Sequence, residues 1–155
     1  MTIRQIRRGV FETNSSSTHS ISIEYDNHFS DLLKVEDGVV KSSGGEFGWE
    51  HETHCDSKTK FDYLITSVFR NCKTAEDVLA VKSNCDKYKM LEAVVKEYCG
   101  DVEIEVTPDE SACFPLGYID HQSDSVAHEA FGSENEMANF LFNPQSELQT
   151  SNDNC

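Results

Sequence analysis

Between Arg7-Arg8 and the alternating segment Ile21-Ser22-Ile23-Glu24-Tyr25 lies an unbroken polar run, Glu12-Thr13-Asn14-Ser15-Ser16-Ser17-Thr18-His19-Ser20, with neither Gly nor Pro. Ordinary loops of this length turn on those two residues. This run offers hydroxyls, an amide, a carboxylate and an imidazole instead, more hydrogen-bonding and acid–base capacity than a turn needs. At a strand-to-strand joint, side-chain oxygens lie beside backbone N–H groups, a combination suited to phosphate or ribose. Arg7 and Arg8 would add charge-assisted contacts, and Gly9 would let a ligand approach closely. Asn14, Ser15, Ser16, Ser17 and Thr18 complete the candidate ligand-binding set. His19 titrates near neutrality and is the candidate acid or base. A serine nucleophile would need such a base within hydrogen-bond reach. The bland alternative is a loop whose Ser, Thr and Asn side chains satisfy their own backbone. Neither a G-x-S-x-G elbow nor a Gly-rich P-loop is present.

Two further clusters carry chemistry. In Tyr118-Ile119-Asp120-His121-Gln122-Ser123-Asp124, Asp120 and His121 are candidate catalytic partners for His19. Adjacent residues on a strand point to opposite faces, so both line one pocket only where the strand bends. His51-Glu52-Thr53-His54-Cys55 groups three possible metal ligands. Structural zinc sites pair two such clusters at fixed spacing, and the H-E-x-x-H helix motif is missed by one residue. A polar loop is the better reading there, with no metal assigned and no cofactor identified.

These residues are positioned by elements that hydrophobic periodicity makes legible. Residues 3–11 and 20–25 alternate as strands, Val39-Val40 begins a short strand closed by Ser42-Ser43-Gly44-Gly45, and Glu46 to Glu50 alternates again. Phe61, Leu64, Ile65, Val68, Phe69 and Cys72 form the apolar stripe of a helix over 57–72. Thr74 with Asp77 caps a helix reaching about Val81, and a third helix spans 86–99, burying Tyr88, Leu91, Val95 and Tyr98. Val102 to Val106 and Tyr118 to His121 read as strands, Ser133 with Glu136 opens a last helix, and Leu148 anchors a final strand. The order β-β-β-α-α-α-β-β-α-β predicts an α+β fold, a mostly antiparallel sheet with three to four helices packed on one face. The 155 residues fit a single domain, with the last few frayed.

Charge is lopsided. The formal net charge is −15, and from Glu97 to Cys155 there are thirteen carboxylates and no Lys or Arg. Such a pole disfavours nonspecific nucleic-acid or anionic-membrane binding through the C-terminal third and favours a basic partner. No apolar run approaches the ~20 residues of a membrane span, and the basic N-terminus lacks a signal peptide's apolar core. The six cysteines form no C-x-x-C pair and read as reduced thiols, with Cys72, Cys85 and Cys99 as small core residues. A cytoplasmic protein is the expectation.

The segments Ile6-Arg7-Arg8-Gly9-Val10-Phe11-Glu12-Thr13-Asn14-Ser15-Ser16-Ser17-Thr18-His19-Ser20, Gly45 to Trp49, Tyr118 to Ser123, and Phe140 to Pro144 through Asn152-Asp153-Asn154 resemble a set of uncharacterised small proteins of bacteriophages and related mobile elements. The resemblance implies work inside an infected bacterium. It also implies that the polar run, the Tyr118–Ser123 block and the Asn-Asp-Asn tail form one constellation, with no activity to carry over. Two functions follow as expectations. One is a binding protein that inhibits or modulates a basic host protein, such as a nucleic-acid-binding defence factor. The other is an enzyme or ligand-binding domain acting on a nucleotide or other phosphate-bearing small molecule through the polar run. The first demands fewer coincidences.

Overall fold

A computed structural model describes residues 3–8, 17–48, 51–119 and 128–152, and for 3–8, 17–19 and 151–152 the backbone alone. The chain forms an α+β fold. Its main sheet is antiparallel, built from β1 (Ile3–Arg8), β2 (Ser17–Glu24), β8 (Glu147–Asn152) and β5 (Glu52–His54) in the order β1-β2-β8-β5. Two further ladders are parallel: β3 (Val39–Ser42) pairs with β6 (Glu103–Val106), and β4 (Gly45–Phe47) with β7 (Gly117–Ile119). Alternation along each strand predicts which face is buried but not which neighbour it takes, so these parallel pairs are legible only in the structure. The segment Glu52–His54, a polar loop by sequence, is a strand because β8 supplies it with a partner.

Four helices lie among the described residues: α1 (Ser57–Phe69), α2 (Ala75–Asn84), α3 (Asp86–Cys99) and α4 (Glu134–Phe142). Their starts follow local chemistry. The Asp56 carboxylate accepts from Thr59 N–H at 2.8 Å, Thr74 and Asp77 form a reciprocal capping box, and Ser133 Oγ accepts from Glu136 N–H at 3.0 Å. The stripe expected on α1 is buried at Phe61, Leu64, Ile65 and Phe69, but Lys60, Tyr63 and Thr66 are buried too. The helix is covered on two sides, because α4 packs along one flank and β4 with β7 along another. In α3, Val94 joins Tyr88, Leu91 and Val95 in the core, while half-buried Tyr98 packs its ring edge-on to Phe29.

Two glycines set the close approach of β4 and β7. Gly117 adopts φ +86°, and a Cβ there would lie 2.1 Å from Gly45 O; Gly44, at φ +74°, would place one 2.1 Å from Leu116 O. Only a residue without a side chain fits either position.

Lys60 is the unexpected core residue. Its Nζ donates to Asn143 O and Ser146 O, both at 3.0 Å, and lies 5.6 Å from the Phe140 ring centroid. Burial pushes its pKa down from 10.5 to about 8, against the opposing pull of Cys55, Asp31, Asp56 and Glu147. Between these two values the unfolded chain binds more protons at Lys60 than the folded one, so this group's contribution to stability increases as pH rises through that window.

Two predictions follow from these contacts. Gly117→Ala should lower the unfolding free energy by more than about 2 kcal/mol, read from urea denaturation, through combined steric and φ strain. Lys60→Met, which removes the ammonium donor from Ser146 O and leaves Asn143 O with only the Ser146 N–H, should cost about 2 kcal/mol at pH 7. The difference between wild type and this variant should widen from pH 8 to pH 10; a pH-independent difference would refute the assignment.

Candidate functional site

The polar residues singled out in the sequence converge, where they are described, on one end of the main sheet. The register pairs Arg8 with His19, His19 with Thr150, and Thr150 with Glu52, so these four occupy one transverse row across β1, β2, β8 and β5. The next row toward the sheet's end pairs Thr18 with Ser151, and the last pairs Ser17 with Asn152. Arg7 lies opposite Ser20, in the row that continues through Gln149 to Thr53. The start of the second strand and residues 151–152 are therefore neighbours. Asn14, Ser15, Ser16, Asp120 and His121 lie outside the described residues.

The row through Thr150 belongs to the core-facing side. Cross-strand partners share a face of a pleated sheet, and alternate residues along a strand return to it. Ile21 and Leu148 are register partners on that side, both fully buried, and His54 lies opposite Leu148. Thr150, two residues on from Leu148, is also at 0% exposure. Its Oγ1 and the buried His54 Nε2 have no hydrogen-bond partner among the described residues. A buried polar atom left unmatched costs about 1–3 kcal/mol, so two on one face of adjacent strands call for an explanation. Sequence reasoning missed Thr150 altogether, since a lone Thr near the C-terminus carries no motif, and placed His54 in a loop.

A physical link runs toward the Asp120 segment. Phe47 packs edge-on to His54 with ring centroids 6.0 Å apart, and also to Tyr63 at 5.0 Å. Phe47 is the register partner of Ile119, the residue that immediately precedes Asp120 in the chain. The end of the β4–β7 ladder thus abuts β5 beside the orphaned imidazole nitrogen.

No protein-family model matches the chain, and no curated protein or solved structure does so significantly. The row brings Arg8, His19, Thr150 and Glu52 into register, so residues of both charge signs flank the Thr150 hydroxyl position along the sheet. Among the described residues no group of three or more His, Cys, Asp or Glu is placed to hold a metal ion. Cys55 Sγ lies 3.9 Å from Glu147 Oε1, and burial, with that carboxylate second, holds its thiol above the usual range. It is a poor nucleophile in this state.

The carboxylate of Glu24 is a separate orphan. The residue is 1% exposed, and neither oxygen has a hydrogen-bond partner among the described residues, although its backbone N–H and C=O are bound by Ser146 and Asn143. It sits on the opposite parity of β2 from Ile21 and Ile23, away from the Thr150 row.

If the Thr150 hydroxyl is kept for a ligand, Thr150→Val should leave the ligand-free protein as stable or raise its unfolding free energy by about 1 kcal/mol. A loss of that size in urea titration would mean that the hydroxyl already serves a structural partner.

Proposed function

We propose that this is a small acidic binding protein of bacteriophage type. It would work in the cytoplasm of an infected bacterium and occupy the basic, nucleic-acid-binding surface of a host protein, thereby inhibiting or modulating it. The observation that carries this reading is the exposed edge of β6. Ile104 and Val106 point into the core, so Glu103 and Glu105 alternate outward, and exposed Asp101, Asp109 and Glu110 extend the line at both ends. Alternate residues on a strand lie about 6.6 Å apart, which gives a line of negative charge at fixed spacing. The parallel pairing with β3 and the bond from Lys82 Nζ to Ile104 O hold that backbone in place. Charges fixed in this way lose little freedom on binding and steer a basic partner during encounter. No helix among the described residues is long and apolar enough to cross a membrane.

The test is affinity capture from host lysate at low and high salt. A stoichiometric basic partner should be retained at about 50 mM salt and released at several hundred millimolar. The Glu103→Gln, Glu105→Gln double variant should bind it about tenfold more weakly, chiefly through a slower association rate. Absence of any stoichiometric partner, or capture unaffected by salt and by these substitutions, would remove this reading.

A second reading is favoured by the orphaned Thr150 and His54 atoms: a domain that binds, or acts on, a nucleotide or other phosphate-bearing small molecule at the end of the main sheet. There Arg7, Arg8 and the Asn14–Thr18 run would hold the phosphate, with His19, Asp120 and His121 as acid–base groups. A nucleotide that raises the melting temperature of the wild type but not of Asn14→Ala or His19→Ala would support it. Equal shifts in all three would count against it.

A further inference from the structure

Two adjoining cavities run along β3 and share Lys41 and Lys58 as a common wall. The first, of about 140 Å³, is bordered by Leu33, Val39 and Val40 with Lys34 and Glu36. Leu33 and Val40 are buried core members, so this cavity has an apolar floor, while Lys34 and Glu36 are exposed and pair with each other at 3.0 Å. The second, of about 550 Å³, is lined by Ser42, Ser43, Gly44, Glu105 and Thr107.

Size and charge limit what fits. A dry cavity of roughly 150 Å³ lined by aliphatic side chains accepts a benzene ring. The first cavity therefore has room for one six-membered ring. At the shared wall the two ammonium groups differ in commitment. Lys58 Nζ lies 2.5 Å from Asp62 Oδ1, and that same oxygen accepts from the Ser42 hydroxyl at 2.7 Å. Lys41 is exposed and forms no ion pair among the described residues, although its register partner Glu105 stands beside it. The Gly44 N–H is taken by Ser42 Oγ and the Gly45 N–H by Thr66 Oγ1, which leaves the exposed Ser43 and Thr107 hydroxyls as neutral donors near this wall.

We propose that these cavities bind a phosphate monoester carrying a single six-membered ring. The ring enters the Leu33–Val39–Val40 cavity, and the phosphate lies between Lys41 and Lys58 within reach of the Ser43 hydroxyl. A dianionic head suits two cations of which one is already shared with a carboxylate. An inorganic anion would leave the apolar cavity unused, and a neutral ring would leave the two ammonium groups unused. Glu105 opposes the anion and keeps the affinity modest. This site shares no residue with the Thr150 row and does not depend on either function proposed above.

Isothermal titration with phenyl phosphate, inorganic phosphate and phenol separates the contributions of head and ring. Phenyl phosphate should bind at least about tenfold more tightly than inorganic phosphate, from burial of one ring face, and phenol should give no measurable heat. Lys41→Ala and Lys58→Ala, both at exposed positions, should each weaken phenyl phosphate by about tenfold. Glu105→Gln should tighten it by about twofold to threefold through loss of a competing charge. The proposal is overturned if phenyl phosphate fails to saturate by about 10 mM. It is equally overturned if both lysine variants bind as wild type does, or if binding is lost in Thr150→Val and kept in Lys41→Ala, which would place the ligand at the sheet end.

Discussion

The Lys60 ammonium lies at 0% exposure between Asn143 O and Ser146 O, and much of the architecture follows from that placement. Moving a cation out of water is costly, so it must be held by acceptors with lone pairs to spare. Asn143 O accepts from Ser146 N–H as well, at 2.9 Å. Asn143 follows the last turn of α4, where carbonyls lack intrahelical partners and the helix dipole is negative. Lys60 thereby ties α1 to the turn that ends α4 and launches β8. The turn is cross-braced: Asn143 Nδ2 donates to Glu24 O and Asp26 Oδ1, while Ser146 Oγ donates to Asn139 O and accepts from Glu24 N–H. Since β8 is paired on both sides, by β2 and β5, fixing its first residue fixes the register of the sheet and brings Thr150 opposite His19.

This dependence explains which parts of the structure were legible in the sequence. Helices α1 to α4 announce themselves through period and caps, because both are local properties of the chain. Strands β2 and β6 do so through alternation around Ile21, Ile23, Ile104 and Val106. Lys60 reads as a surface residue, one position before Phe61 on an amphipathic helix, because nothing local reveals that α4 will cover that flank. Glu52–His54 reads as a loop because three polar-leaning residues become a strand only when β8 lies alongside. The same holds for the site. The richness of the polar run is visible in composition, whereas its juxtaposition with Thr150 and Asn152 is a consequence of pairing across more than a hundred residues.

Charge is organised by the same elements. A formal charge of −15 disfavours compactness through self-repulsion. On β6 the alternation that buries Ile104 also projects Glu103 and Glu105, so the acidic edge is a by-product of a core strand. Lys41, opposite Glu105, and Lys58, paired with Asp62, interrupt this acidic character where β3 meets the first turn of α1. Glu105 belongs to both the acidic edge and the lysine-walled groove, and at the spacing of paired strands, well inside the screening length of about 8–10 Å, its charge acts on both.

The contrast between the two polar regions is the strongest argument that the sheet end has a purpose beyond folding. Around Lys60, the Asn143 amide, its carbonyl and the Ser146 hydroxyl all find partners, although the adjoining Glu24 carboxylate does not. Farther along β8 and on its neighbour β5, Thr150 Oγ1 and His54 Nε2 are buried with none among the described residues. A chain able to match a buried ammonium could have replaced Thr150 by Val at no cost in shape. The aromatic core of Phe61, Tyr63, Phe69, Phe140 and Phe142 supplies the stability that lets such a fault persist. Local rules broken inside an otherwise consistent fold tend to mark the places where something other than stability is being served. The fault falls in the row that His19 occupies.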